Sequence, residues 1–507
     1  MSAVSQGSDS MFSRMNSQIR QRIDAVLLGQ ELKAKVLRGG VWLGGGSVGE
    51  QALRFGRNMV LARLLAPAAF GTMAIALSTA SIIDSLLDVG VREALIQNPQ
   101  GHQHRYLNVA WWLSLGRGLA IYSVIFVMAP WISQFYGNRE LSPLLRVTLL
   151  SILFHSAMST GANLAVKQMK FSKWAAINHG GAICGIVLTV ILSLFMRDVW
   201  ALAIGYVAEN AGRCAFSYLL CPYFPSFGWD REAARDLLRF SRGVFGLSFL
   251  NLVFGRADIF VLARLYPATS LGLYTLAVYL IQTPTSFLMN LLGQTLLPTF
   301  SQIQGENHRL NQILFKVTSL ILALGLPAAA LSFFCGRSLL TIAYGQKYAA
   351  AAVPLAIASC VAVINLVNGQ ITTVFLAKGQ PHLHRRCVAV MAVTMIALIY
   401  PSVKWFGFVG AQMACLTSVL CGYLLQVKRI QDITKLDLVQ YGKSYLISII
   451  ASLFVVAVCL GSRSVPWLAN PLPNIALGIL GCLLAYVLTY AAYEAIFRVG
   501  TDEVRAA

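Results

Sequence analysis

Long apolar stretches recur along the chain from about residue 38 almost to its end, and short polar segments separate them. Each stretch approaches the roughly 20 mostly apolar residues that a helix needs to cross a bilayer. The pattern therefore predicts an all-α polytopic membrane protein. The fourteen predicted spans are 38–62, 69–91, 107–132, 144–166, 174–196, 199–221, 243–263, 270–297, 311–335, 350–376, 387–403, 407–427, 444–461 and 473–497.

Composition agrees with a chain that lies mostly in lipid. Hydrophobic residues make up 57% of the 507 positions and charged residues only 12%, against about 25% charged in a soluble protein. Residues 1–37 contain no apolar run long enough for a signal peptide, so an uncleaved cytoplasmic N-terminus is expected. The ten cysteines lie in or beside apolar spans without a CxxC pair, which favours small buried hydrophobes over a metal site. No cofactor is expected.

Lysine and arginine are distributed unevenly between the two predicted sides of the membrane. With the N-terminus inside and fourteen crossings, 26 of the 40 fall in cytoplasmic segments or at the cytoplasmic ends of spans, and 8 in outside loops. This positive-inside bias predicts that both termini are cytoplasmic. It also explains the net charge of +20 without a nucleic-acid partner. Basic segments such as 231–242 are expected to orient helices, and attraction to anionic lipid is a secondary interpretation.

One phrase occurs twice in the sequence. VLARLLAPAAFG at 60–71 and VLARLYPATSLG at 261–272 share the same order of Val, Leu, Ala, Arg, Leu and a closing Gly, 201 positions apart. Six spans separate the copies, and an even number of spans returns the chain to the same side, so the halves are predicted to be parallel repeats. The predicted organisation is an N-terminal segment (1–37), a first six-helix lobe (38–221), a linker (222–242), a second lobe (243–430) and two C-terminal helices (431–507).

The arginine in each copy ends the first span of its half. Arg63 and Arg264 are therefore predicted to anchor the helix at the outer interface, where a long basic side chain can reach lipid phosphate or water. An anchoring role is favoured over substrate binding for both residues.

Deeper charges point to function, because ionisable groups inside a membrane are costly and face a cavity or a partner. Arg57 and Arg256 are equivalent positions of the two halves, and two guanidiniums in the space between lobes suit a phosphate or diphosphate. The alternative is internal neutralisation, Glu50 with Arg54 and Asp258 with Arg256. Both interpretations stay open for Arg54.

Further charges fall in spans two, three and six. Asp84 is predicted to pair with Arg117 and Glu209 with Arg213, and structural pairing is favoured over proton or cation binding. Asp88 lies near a predicted cytoplasmic helix end. The substrate-binding candidates are Arg57, Arg256, Arg54 and Arg117. The ion-coupling candidates are Asp84, Asp88, Glu209, Asp258 and Glu50.

Three segments resemble a known family: FGRNMVLARLLAPAAFG at 55–71, LLDVGVREALIQNP at 86–99 and FGRADIFVLARL at 254–265. They are similar to the polysaccharide-transporter flippases, the Wzx-type branch of the multidrug, oligosaccharidyl-lipid and polysaccharide exporter superfamily. In the related flippases of lipid-linked peptidoglycan precursor, cavity arginines are associated with the diphosphate. One of these arginines, at the end of the first helix, lies in a similar R-[D/N]-x-x-x-A-R pattern, which the segment from Arg57 to Arg63 matches. Asn58 stands where that branch commonly has Asp.

The resemblance implies a bacterial inner-membrane flippase that moves undecaprenyl-diphosphate-linked oligosaccharide outward by alternating access of two lobes, for exopolysaccharide, capsule or O-antigen synthesis. Its implied partners are the lipid-linked oligosaccharide, membrane lipids, and a polysaccharide polymerase with export machinery. The chain has no GxxxxGK[ST] loop for ATP and is not expected to be an enzyme. The alternatives are a drug or cation antiporter of the same superfamily and a membrane-embedded polysaccharide polymerase.

Overall fold

The computed structural model describes residues 46–86, 90–241, 247–462 and 476–487, and every regular element in these ranges is helical. The helices of the first half are α1 (46–64), α2 (Pro67–Leu86), α3 (Val91–Gln97), α4 (His104–Tyr136), α5 (Leu141–Thr148), α6 (Leu150–Ser156), α7 (Gly161–Lys167), α8 (Phe171–Met196) and α9 (Val199–Leu220). Those that follow are α10 (Arg231–Ser241), α11 (Leu247–Leu265), α12 (Ala268–Gln302), α13 (Asn307–Tyr344), a 3-10 helix (Gln346–Ala351), α14 (Ala352–Ala377), α15 (Pro381–Thr434), α16 (Leu438–Ser462) and α17 (Ala476–Val487).

The all-α membrane fold is confirmed, whereas the count of fourteen spans is not. Within the described ranges, eight helices are long and apolar enough to cross a membrane, or nine if one bent set is counted as a span. α1, α9 and α11 are not among the eight, and each carries both acidic and basic side chains. Their hydropathy is lowered by the charges that make them candidates for function.

Two regions of the predicted spans contain a sharp break. The span predicted at 144–166 is broken between α6 and α7, which are bent by 58°. The break is docked on the end of α9, where Ser159 donates a hydrogen bond of 2.6 Å to the carbonyl of Cys221. The spans predicted at 387–403 and 407–427 are two helices joined within α15 by a kink at Gly407, where the backbone leaves helical geometry at a positive φ of 62° that glycine tolerates.

Helices pack first within each half. In the first half α8 lies against α9, and α4 and α9 lie against the short helices of the broken span. In the second half α14 packs on α12, α13 and α15, and α11 also contacts α15. The halves meet where α2 lies against α11 and α12, and one continuous apolar core includes buried residues of both, among them Leu61, Ile121, Tyr274 and Tyr344.

The repeated phrase forms a reciprocal contact between the halves. Gly71 of α2 lies against the backbone of Ala268 at the start of α12, and Gly272 of α12 lies against the backbone of Pro67 at the start of α2. Since each pair of equivalent positions is 201 residues apart, the contact has the symmetry expected of parallel repeats. A side chain at either glycine would overlap a carbonyl oxygen of the other half.

The repeated arginines also reach across to the opposite half. Arg63 donates from Nη2 to the carbonyl of Ile342 on α13 at 2.8 Å. The Arg264 guanidinium lies 5.4 Å from the ring centroid of Phe135 on α4, a distance at which a cation is attracted to an aromatic face. Two arginines and two glycines therefore form an inter-half clasp, defined by Arg63, Gly71, Arg264 and Gly272, at the predicted outer end.

Candidate substrate-binding site

A network of charged side chains ties α1 to α8 and α9. Arg54 donates from Nε to Glu50 one helical turn earlier at 2.9 Å. Its two Nη atoms both contact the carboxylate of Glu209 on α9, one of them at 3.3 Å. Glu209 is buried and also accepts from Arg213 at 2.7 Å, so the predicted pairing of Glu209 with Arg213 is confirmed.

The network continues to a histidine that the sequence did not single out. Glu50 lies 2.6 Å from Nδ1 of His179 on α8. Gly46 leaves room for the imidazole, since a side chain there would overlap the ring. Two carboxylates, Glu50 and Glu209, face two guanidiniums, Arg54 and Arg213, so Arg54 is neutralised locally by Glu50 and Glu209. The neutralisation considered as the alternative for Arg54 is present.

Asp84 and Arg117 form the ion pair predicted for spans two and three. Arg117 contacts the carboxylate of Asp84 through Nη2 and also donates to its backbone carbonyl at 3.0 Å. The Asp84 side chain is half exposed, and the pair links α2 to α4. Asp88, an ion-coupling candidate, lies outside the described residues.

Arg57 is held by a neutral group. Its Nε and Nη2 donate to Oδ1 of the buried Asn58 at 3.2 and 3.1 Å. No carboxylate lies within salt-bridge distance of Arg57 in the part of the chain that the structure describes. An amide oxygen orients a guanidinium without cancelling its charge, so Asn58 leaves Arg57 cationic where an aspartate would offset it.

Arg256 is exposed on α11 and does not pair with Asp258, its predicted internal partner. Asp258 instead accepts a hydrogen bond of 2.5 Å from the hydroxyl of Tyr274 and one of 2.8 Å from the backbone N–H of Ile259. The Tyr274 hydroxyl accepts in turn from Gln412 at 2.7 Å. Among the described residues, no carboxylate lies within salt-bridge distance of Arg256.

Arg57 and Arg256 line one cavity of about 310 Å³, named here the arginine cavity. Helices of both halves enclose it: α1, α2, α8 and α9 of the first and α11 and α12 of the second. The other lining residues are Asn58, Phe70, Met73, Ala74, Leu77, Thr189, Leu202, Tyr206, Gly255, Asp258, Ile259, Tyr274, Thr275, Leu276, Val278, Tyr279 and Gln282. Two guanidiniums of opposite halves, neither at salt-bridge distance from a described carboxylate, thus share a space with Thr and Tyr hydroxyls, two amides and the Asp258 carboxylate that Tyr274 holds.

A larger cavity of about 630 Å³ adjoins it, named here the polar cavity. The two share wall residues of α11 and α12, including Tyr279 and Gln282. Its polar lining is mainly uncharged: Gln51, Tyr279, Gln282, Thr283, Thr285, Ser286, Asn290, Asn365 and Gln412. Arg54 and Asp258 also line it. Amides and hydroxyls over apolar walls suit a hydroxyl-rich ligand.

Part of the chain matches a known protein family. Residues 60–353 match the family described as polysaccharide biosynthesis protein. This match includes the repeated phrase in both copies, α2 through α13, and Arg256.

Curated relatives come from bacterial polysaccharide biosynthesis. The lipopolysaccharide biosynthesis protein WzxC of Escherichia coli K12 is 24% identical over 400 residues, covering 78% of this chain and 79% of the relative. The succinoglycan biosynthesis transport protein ExoT of Rhizobium meliloti is 26% identical over 278 residues, or 54% of this chain and 56% of the relative.

Solved structures match in fold. The lipid II flippase MurJ, in an inward closed conformation, superposes with a TM-score of 0.72 over 89% of this chain and 99% of that structure, at 13% identity. An inward-facing multidrug resistance transporter of the MATE family matches with a TM-score of 0.58 over 76% and 96%, at 14% identity. The similarity of fold agrees with the resemblance inferred from three segments of sequence. Because the family match covers more than half of this chain, the chain belongs to the polysaccharide biosynthesis protein family.

Proposed function

We propose that this multi-pass membrane protein is a flippase for lipid-linked oligosaccharide, with an undecaprenyl diphosphate carrier, in the bacterial inner membrane. The observation that carries the proposal is the arginine cavity. It presents Arg57 and Arg256 from equivalent helices of the two halves, without a carboxylate partner for either among the described residues. A diphosphate supplies acceptor oxygens for two planar donors.

The adjoining polar cavity extends the proposal to the glycan. Its volume lies in the range of about 300–1,000 Å³ that ligand pockets occupy. With the diphosphate between Arg57 and Arg256, the first sugars extend past Tyr279 and Gln282 into the polar cavity. The isoprenoid chain stays in the bilayer, where it needs no polar partner.

The proposed transport step is alternating access, in which the lobes predicted at 38–221 and 243–430 rock about the cavities. The inter-half clasp holds the predicted outer end together, and its separation exposes the headgroup to the other side. Translocation makes and breaks no covalent bond, so the proposal assigns no catalytic residue. The positive-inside bias orients the protein with both termini in the cytoplasm, so the inter-half clasp lies toward the outer face.

Carboxylates in the described spans are occupied, which favours an anionic substrate over a cationic drug. Glu50, Glu209 and Asp84 are ion-paired, and Asp258 accepts hydrogen bonds from Tyr274 and a backbone N–H. A cation antiporter needs a carboxylate that is available to its substrate or coupling ion.

The proposal is tested with the full chain in vesicles that contain an undecaprenyl-diphosphate-linked glycan, with an enzymatic probe that modifies glycan only in the outer leaflet. The wild-type protein is expected to render the glycan accessible. Arg57→Ala or Arg256→Ala should raise the substrate concentration for half-maximal flipping by about tenfold to a hundredfold, since a charge-assisted hydrogen bond contributes about 1.5–3 kcal/mol. Lysine variants should be less impaired, because they keep the charge but lose the planar fork.

Arg146→Ala is the matched control, because Arg146 also lies in a predicted span but lines neither cavity and contacts the ring of Phe126. If both cavity variants reach half-maximal flipping at the same substrate concentration as the wild type, the diphosphate does not bind at Arg57 and Arg256. Absence of glycan flipping by wild-type protein across several glycans, with export of cationic dyes, would refute the flippase and support the antiporter.

A further inference from the structure

Helix α10 connects the two halves and is docked on the first half by one apolar face. Ala233, Ala234 and Leu237 are buried against residues of α3 and α4 such as Leu95 and Leu107. The helix is therefore a fixed part of the surface near the start of α4, which is predicted to face the cytoplasm.

The acidic residues of this region are directed toward α4. Asp236 accepts a hydrogen bond of 3.0 Å from the hydroxyl of Tyr106. Glu232 and Asp230 lie 3.6 and 3.7 Å from the guanidinium of Arg105. The negative charges of α10 and its preceding residue are thus partly offset by groups on α4.

The basic residues of α10 form a separate row. Arg231, Arg235 and Arg239 are spaced at i, i+4 and i+8, which places them along one stripe of the helix. All three are exposed, and within the described ranges none lies at salt-bridge distance from a carboxylate. With Trp229 and Leu238 they line a shallow hollow of about 570 Å³. These five side chains are named here the arginine row.

Exposed aromatic side chains lie before and at the start of the row and indicate its depth. Phe224, Phe227 and Trp229 are 73%, 99% and 56% exposed. Phe227 contacts the ring of Trp112 near the start of α4, with centroids 5.7 Å apart. Exposed aromatic residues at the ends of membrane spans lie at the level of the lipid headgroups. The guanidiniums of the arginine row are therefore expected at the depth of lipid phosphates.

We propose that the arginine row is a binding site for an anionic phospholipid. The guanidiniums bind the phosphate of the headgroup, and Trp229 and Leu238 contact the glycerol and the first acyl carbons. The apolar members distinguish this ligand from free phosphate, which would use only the guanidiniums. This site is separate from the arginine cavity and does not depend on the proposed transport activity.

The experiment uses the purified full chain in detergent, titrated with phosphatidylglycerol and followed by native mass spectrometry. The wild-type protein is expected to retain phosphatidylglycerol at concentrations at which phosphatidylcholine is lost. The variant Arg231→Gln with Arg235→Gln and Arg239→Gln should bind on the order of a hundredfold more weakly, about fivefold for each basic residue removed. Replacement of the three by lysine should retain most of the affinity, because the charge remains.

A charge-matched control replaces the exposed Arg309, Arg385 and Arg386 by glutamine, away from the row. It should bind phosphatidylglycerol like the wild type. Equal retention by the glutamine variant of the row and by the wild type would overturn the proposal, as would equal retention of phosphatidylcholine. Glycerol phosphate at millimolar concentration should not displace the lipid; if it does, the site is a simple anion site and the lipid assignment is wrong.

Discussion

The inter-half clasp predicts that a single methyl group at its glycines changes which conformation the protein prefers. In Gly71→Ala, the added carbon would lie 2.8 Å from the carbonyl carbon of Ala268 and closer to its oxygen. In Gly272→Ala, it would lie 2.6 Å from the carbonyl carbon of Pro67 and again closer to the oxygen. Both obstacles are backbone atoms at helix starts, so no side-chain rotation relieves them. The helices α2 and α12 must separate.

The size of the effect follows from packing. Overpacking a well-packed contact costs about 1–3 kcal/mol. A shift of about 1.4 kcal/mol changes an equilibrium constant tenfold, so the ratio of separated to clasped states should rise between about fivefold and a hundredfold. The two alanines act on one contact, so the double variant should shift the equilibrium by less than the sum of the single shifts.

The assay uses electron paramagnetic resonance to measure distances between spin labels on opposite halves at the predicted outer end. Exposed Arg139 and Lys347 provide the labelling positions in a variant without native cysteines. Each alanine variant should populate longer distances than the parent protein. Gly293→Ala is the control on the same helix as Gly272, because a methyl group at Gly293 meets nothing within 4 Å.

Unchanged distance distributions in both variants, with the control also unchanged, would refute the assignment of the glycines to a clasp that separates. A drop in thermal stability without longer distances would likewise show that the contact is only a structural one. Longer distances in Gly293→Ala as well would show that the effect is not specific to the contact between the halves.

Two further outcomes follow from the charge network and the charge bias. Glu209→Gln should lower the free energy of unfolding by on the order of 3 kcal/mol, since it removes a buried charge that pairs with both Arg54 and Arg213. The double variant that exchanges Glu209 and Arg213 should not restore stability, because Arg54 still lacks its carboxylate. Full recovery of thermal stability in this double variant would contradict the shared role of Glu209. Cysteines at Ser226 and Lys347 should react with an impermeant reagent from the cytoplasmic and the outer face respectively; labelling of both from one face would contradict the two-repeat topology.

The sequence alone determined that the chain lies in a membrane, that it contains two repeated halves, and which charged residues pair one helical turn apart. Apolar stretches of bilayer length predict a helical membrane protein because lipid offers the backbone no hydrogen-bond partner. The pairing of Glu209 with Arg213 was predictable, because residues four apart share one face of a helix. The placement of Arg57 and Arg256 in one cavity agrees with their equivalence in the repeat.

Tertiary structure decided the partners that lie far apart in the chain. Arg54 meets Glu209 across 155 positions and Glu50 meets His179 across 129, and nothing in sequence spacing distinguishes these partners from other charges in apolar spans. Asp258 bonds to Tyr274 rather than to nearby Arg256, which leaves the arginine for the cavity. Helix geometry sets neighbours within one helix, whereas contacts between helices depend on how whole apolar surfaces pack, and packing is decided by all the side chains at an interface together.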